Sequence, residues 1–184
     1  MTDTHNAIDC DIHPAVPSMQ VLLPHLDEYW REHLITRGTE RLTLHMTSYP
    51  PNAPQNSRPD WRPPSGLPGT DLPTLQKQAL DAFETQFAIC NVIYASQVFF
   101  NEDMAAVLCT AVNDWVTKEW LDKEPRLRGS IMVSTQNPQL AAEEIERRAA
   151  DPRFVQVLLL ANTEMPAGRR YFWPIYDAAE RHNL

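Results

Sequence analysis

Asp11 and His13 are the pair whose types and spacing carry the most chemistry in this chain. Residues i and i+2 of a strand project to one face, so a carboxylate and an imidazole two apart converge. Together they can supply two ligands to one divalent cation. The pair closes the run Ala7-Ile8-Asp9-Cys10-Asp11-Ile12, which alternates apolar and polar residues before Pro14 and Pro17. That is the pattern of a strand that stops abruptly. An Asp-x-His triplet by itself equally describes a polar strand end open to water. Asp9 shares the face one step deeper, either as a partner behind the ligands or as a buried polar group of the strand. Of the other histidines, His45 is the one in a segment able to fold over a strand end, although a solvated loop histidine is the plainer account. His182, near a helix end, is explained by the helix dipole.

The elements that must position these groups follow from periodicity. Met19, Leu22, Leu23, Leu26, Trp30 and Leu34 recur at spacings of three and four, a helical stretch over 18–36 that Pro24 divides. From about Gly38 to Thr70 periodicity is lost. Eight of the chain's 16 prolines fall between Pro50 and Pro73. A structureless stretch this long is a lid, a binding loop or a linker. Trp61 lies inside it, off any apolar stripe, and is a candidate for closing over a pocket. Helices are then expected over 72–85, 102–123, 138–148 and from Trp173 to about His182, with strands at 87–95, 128–134 and 154–161. Asn101 and Asn137 are in N-cap positions, and Pro138 is at the first helical position. Glu143/Arg147 and Glu144/Arg148 are spaced as solvated helical ion pairs. Trp115 and Trp120 fall on the core stripe. Ser96, Gln97, Ser134, Thr135, Asn162 and Thr163 sit at strand ends, where they either touch a substrate or cap the next helix.

Strands apolar on both faces that alternate with helices indicate a parallel sheet. The expected fold is α/β: four strand–helix units, the N-terminal (βα)4 half of a TIM-like (βα)8 barrel that normally takes about 250 residues. The Pro-rich segment, 38–70, is a lid-like insertion after the first unit. No Gly-rich phosphate loop follows any strand.

Composition removes other classes. With 184 residues, 43% apolar, 22% charged and a net charge of −8, the chain lacks the basic surface that nucleic acid or an anionic membrane requires. No apolar run approaches the ~18 residues of a membrane span, and MTDTHNAIDC has no leader pattern. Cys10, Cys90 and Cys109 are expected to be reduced, buried thiols of a cytoplasmic protein.

Ile8-Asp9-Cys10-Asp11-Ile12-His13-Pro14 resembles the opening strand of the second amidohydrolase family, the metal-dependent hydrolases and decarboxylases related to aminocarboxymuconate semialdehyde decarboxylase. Asn113-Asp114-Trp115, Arg126-Leu127-Arg128-Gly129, Asn137-Pro138 with the helix after it, and the run Gly168 to Glu180 resemble further parts of the same family. The resemblance implies a distorted (βα)8 barrel with one divalent metal, zinc in most members and manganese in some. It places metal ligands at Asp11 and His13, with Asp11 standing where other members carry His or Glu. It implies a further histidine ligand on a fifth strand, an acid/base histidine on a sixth and an aspartate on an eighth. The chain ends at Leu184, where that fifth strand is expected to begin, so the C-terminal half is expected to be absent. In the complete enzyme the substrate would be a small carboxylate, or an amide, ester or lactone. An open half-barrel exposes a sheet edge, so a homo-oligomer is expected. The non-enzymatic alternative is a half-barrel that acts as an oligomerising or partner-binding subunit.

Overall fold

The computed structural model of the chain describes residues 7–40, 42, 62–63, 66–160 and 165–184. Four strands, β1 (Ala7–Ile12), β2 (Thr85–Cys90), β3 (Leu127–Met132) and β4 (Phe154–Leu158), pair in parallel in the order of the chain. Helices α1 (Glu28–Thr36), α2 (Leu72–Leu75), α3 (Glu102–Val116), α4 (Pro138–Arg148) and α5 (Trp173–Arg181) separate and follow them. This is half of a TIM barrel, as the strand–helix alternation requires. Strands β2 and β3 stop before their apolar runs do, because the ladder ends while burial continues in Val92, Tyr94 and Val133.

Side chains fix the helix starts. Asn101 accepts from the Met104 amide, Asn137 from the amides of Gln139 and Leu140, Asp27 from Trp30 and Asp71 from Thr74. Two helices widen into π turns, Gln76–Asp81 after α2 and Thr117–Leu121 after α3. The stretch before α1 holds two 3-10 turns, Met19–Val21 and Leu23–His25, with Pro24 inside the second. Leu22, Leu34, Leu80, Val112, Leu127, Ile131, Ile145 and Ala178 form the buried core between sheet and helices, joined by Trp115 and Trp120.

Three packing devices hold the layers. Gly129 faces the Phe154 ring, and a Cβ there would stand 2.7 Å from Cε1. Asn113 reaches from α3 to β3, donating to the Met132 carbonyl and accepting from the Met132 amide, each at 2.9 Å, as a neighbouring strand would. Its amide also donates to Glu144 at 2.8 Å. Glu144 is therefore not on a solvated face. It is 7% exposed and gathers Thr110, Asn113 and Arg147, while Arg148 stands 4.0 Å from it and pairs more closely with Asp114.

The third device is a repeat that sequence inspection passed over. Glu124-Pro125-Arg126 precedes β3 and Asp151-Pro152-Arg153 precedes β4. In each, the arginine folds back on the acid two residues earlier and reaches an aspartate at, or just past, the end of the helical segment that leads into the neighbouring preceding strand. Arg126 Nη1 meets Asp81 at 2.8 Å and Arg153 Nη1 meets Asp122 at 2.7 Å. The Arg126 guanidinium holds the Glu124 carboxyl down at about 2.

The cysteines are free. Burial pushes the thiols of Cys90 and Cys109 up to about 12. Cys10 departs from the expectation. It is exposed, because it shares a face of edge strand β1 with Ile8, itself 58% exposed.

Candidate metal centre

β1 delivers Asp11 and His13 to the C-terminal edge of the sheet, where barrel enzymes build their sites. His13 Nε2 lies 3.2 Å from Asp11 Oδ1. Its other ring nitrogen, Nδ1, lies 2.8 Å from the backbone carbonyl of Asn91, the residue that follows β2. A carbonyl only accepts, so Nδ1 carries the proton. In the neutral ring Nε2 then presents a lone pair towards a carboxylate oxygen.

Two facing electron donors fit a shared cation. Ligands each about 2.1 Å from one metal stand about 3.0–3.4 Å apart, and the observed separation lies inside that span. An imidazolium N–H directed at Asp11 is the metal-free alternative. Stability does not explain the alignment: the Asp11 side chain is 71% exposed, and ion pairs this open contribute at most about 1 kcal/mol. The anchoring of Nδ1 is what ligating histidines need, since it fixes the tautomer and the ring plane.

Asn91 completes the arrangement. Its Nδ2 donates to Asp11 Oδ1 at 2.9 Å and to the Cys10 carbonyl at 3.0 Å. Its Oδ1 accepts from Ser130 Oγ at 2.6 Å, and Ser130 accepts in turn from Gln156 Nε2 at 2.9 Å. One polar residue from each strand or strand end thus forms a row across the inner face. The register slips between Gly129 and Ser130, so Gln156 rather than Val155 stands opposite Ser130. Asp9, exposed rather than buried, accepts from the Asp11 amide at 3.0 Å and so braces the backbone under the Asp11 carboxylate.

A cavity of about 290 Å³ adjoins the pair, with Asp9, Asp11, His13, Gly69, Asp71 and Thr74 among its walls. Both ends of the Pro-rich segment are tied to the stretch that follows β1. The Gly69 carbonyl accepts from Ala15 at 2.8 Å and the Glu40 carbonyl from Met19 at 2.9 Å. Gly69 takes φ +80 and a Cβ there would come within 2.6 Å of the His13 carbonyl. His45, Trp61 and Asn162 lie outside the described residues. Among the described residues no group of three or more His, Cys, Asp or Glu side chains converges on one point.

Three of the remaining strand-end candidates, Ser96, Gln97 and Ser134, bond within the fold, and Thr163 lies outside the described residues. Gln97 donates to the carbonyls of Val133 and Leu158, Ser134 donates to the Gln97 carbonyl, and Ser96 accepts from Cys109. His182 pairs with Glu146 on the surface. Asn91, Ser130 and Gln156 were the residues that sequence reasoning missed. The signal was present in two of them, a polar residue set inside an otherwise apolar strand.

A family model described as Amidohydrolase matches residues 8–184. The chain belongs to the second amidohydrolase family. No curated protein sequence matches it. Among solved structures, 5-carboxyvanillate decarboxylase from Novosphingobium aromaticivorans, crystallised with manganese and 4-hydroxy-3-methoxy-5-nitrobenzoic acid, superimposes with a TM-score of 0.68 at 19% identity, over 100% of this chain and 50% of its own. The 5-carboxyvanillate decarboxylase of Sphingomonas paucimobilis gives 0.64 at 18%, covering 96% of this chain and 49% of its own. A Rhizobium 2,6-dihydroxybenzoate decarboxylase gives 0.59 at 18%, covering 96% and 47%. These likenesses establish the amidohydrolase fold, and the chain spans about half the length of the structures it matches. No helix among the described residues is long and apolar enough to cross a membrane.

Proposed function

We propose that this amidohydrolase-family chain carries the first-strand half of a divalent-metal centre that serves hydrolysis or nonoxidative decarboxylation of a small carboxylate. The observation that carries the reading is the pairing of His13 Nε2 with Asp11 Oδ1 while Nδ1 is committed to the Asn91 carbonyl. The structural neighbours that act on hydroxylated benzoates, one of them crystallised with manganese, favour decarboxylation and a small aromatic carboxylate. Zinc and manganese both suit a carboxylate–imidazole pair.

When bound, the cation would act as a Lewis acid on a substrate oxygen or generate a nucleophilic water. The chain's own residues would hold and orient it. His13 offers one nitrogen, Asp11 an oxygen, and Asn91 keeps both in place. A catalytic zinc normally has three protein ligands, so at least one more would come from outside the described residues.

Metal titration tests this. Wild-type chain should take up Mn2+ or Zn2+, and His13→Ala should lose that uptake. Equal uptake by the two sinks the reading.

The non-catalytic alternative rests on Ile8, an apolar residue left 58% exposed on edge strand β1. A half-barrel subunit would hide that strand against another copy. A sedimentation measurement showing oligomers that bind no metal would favour it.

A further inference from the structure

We infer that Asn91 is the positioning residue of the Asp11–His13 pair, and that Ser130 and Gln156 lock its amide in the one orientation that serves the site. Every polar atom of Asn91 is engaged. Its amide N–H donates to the Ile12 carbonyl at 2.6 Å and its carbonyl holds the His13 ring. Its Nδ2 holds Asp11 and Cys10, and its Oδ1 takes the Ser130 hydroxyl and, at 3.3 Å, the Gln156 amide. One residue thus orients both donors of the pair, one through its backbone and one through its side chain.

The row of hydrogen bonds has a direction. Gln156 donates to Ser130, Ser130 to Asn91 and Asn91 to Asp11. If the Asn91 amide flipped, its oxygen would face the Asp11 carboxylate and the Cys10 carbonyl, acceptor against acceptor. Its NH2 would face the NH2 of Gln156, donor against donor. Ser130 and Gln156 therefore reach Asp11 through Asn91 without touching it. A stitch between β1 and β2 would need only the bond to Cys10. Burying Asn91 and Ser130 in the sheet interior instead of apolar side chains is costly unless each polar atom is satisfied, and the row leads to the exposed carboxylate.

This inference rests on the metal reading above, and the experiment separates the two. Mn2+ binding to the full chain is followed by electron paramagnetic resonance for wild type, Asn91→Leu, Ser130→Ala and His13→Ala, with thermal unfolding as the check on folding. Loss of an outer partner of a ligand typically lowers metal affinity about 10–100-fold. Asn91→Leu should fall in that range and Ser130→Ala should fall less, in the same direction, with an altered spectrum of the bound ion. If Asn91→Leu does not fold, the affinity and spectrum of Ser130→Ala decide alone. Wild-type affinity and spectrum in the folded variants, with binding lost in His13→Ala, would overturn the positioning role and leave the metal centre standing. Undiminished binding by His13→Ala would overturn both.

Discussion

His13 and Asn91, 78 residues apart, are joined by a 2.8 Å bond from the imidazole Nδ1 to a backbone carbonyl. The bond crosses from β1 to the end of β2, so the ring orientation depends on the register of the two strands. The local pairing of Ile12 with Cys90, and the bond from the Asn91 amide to the Ile12 carbonyl, set that register. An imidazole at the end of one strand is thus aimed by the backbone of the next.

Asp11→Asn should separate metal binding from folding. The amide oxygen keeps the acceptor for Asn91 Nδ2, while the negative charge is lost. Because the Asp11 side chain is largely exposed, the unfolding midpoint should move by less than about 1 kcal/mol in free energy. Calorimetric titration with Mn2+ should show at least a tenfold loss of affinity. A variant that binds as tightly as wild type removes Asp11 from the ligand set.

Acid should destabilise the fold through Glu124. Its carboxyl sits at about 2, lowered chiefly by hydrogen bonding to Arg126, against an ordinary 4.5. A depressed carboxyl contributes stability above its unfolded value, and that contribution is lost as pH falls from about 4.5 towards 2. The pair is partly screened on the Arg126 side, so a contribution of about 2 kcal/mol is expected at pH 7. Urea unfolding of wild type and Glu124→Gln should differ by that amount at pH 7, less as pH falls below 4.5, and should converge only below about pH 2. A difference that persists there would mean that packing, not charge, is lost.

Much of the scaffold was legible because it is written in local patterns. The first strand is a six-residue alternation, and Asn101 and Asn137 precede apolar stripes as caps do. The convergence of Asp11 and His13 was legible for the same reason, since i and i+2 of a strand share a face. What sequence could not show depends on register. Asn91 reaches Asp11, and Gln156 reaches Ser130, only because parallel strands stagger and β4 slips by one residue. Glu144 resembled one end of a solvated pair because i,i+4 spacing is blind to what α4 packs against. Asn113-Asp114-Trp115, a motif that carried the family resemblance, is a packing device that ties α3 to β3 and α4. Cys10 was misplaced because burial was inferred from apolar neighbours in sequence, whereas edge strand β1 leaves its face open.

Gly129→Ala should overpack the layer between β3 and β4. The added Cβ would stand 2.7 Å from the Phe154 ring and 3.2 Å from Leu121. Forcing an atom into so tight a contact costs about 1–3 kcal/mol. Denaturant unfolding reads the cost, and Phe154→Leu in the same chain should recover part of it. Additive losses in the double variant would show that the two residues do not share the strain.

The thiols should divide one against two. A thiolate is the reactive form, and burial holds Cys90 and Cys109 near 12, so at pH 8 they are almost wholly protonated as well as shielded. Cys10 is exposed on β1. An aromatic disulfide reagent should therefore titrate one thiol in the native chain and three in denaturant, and Cys10→Ser should abolish the native signal. Cys10 also reports on the edge of β1. Slower labelling as protein concentration rises would show that a second copy covers this strand, and a rate independent of concentration would show that the strand stays open.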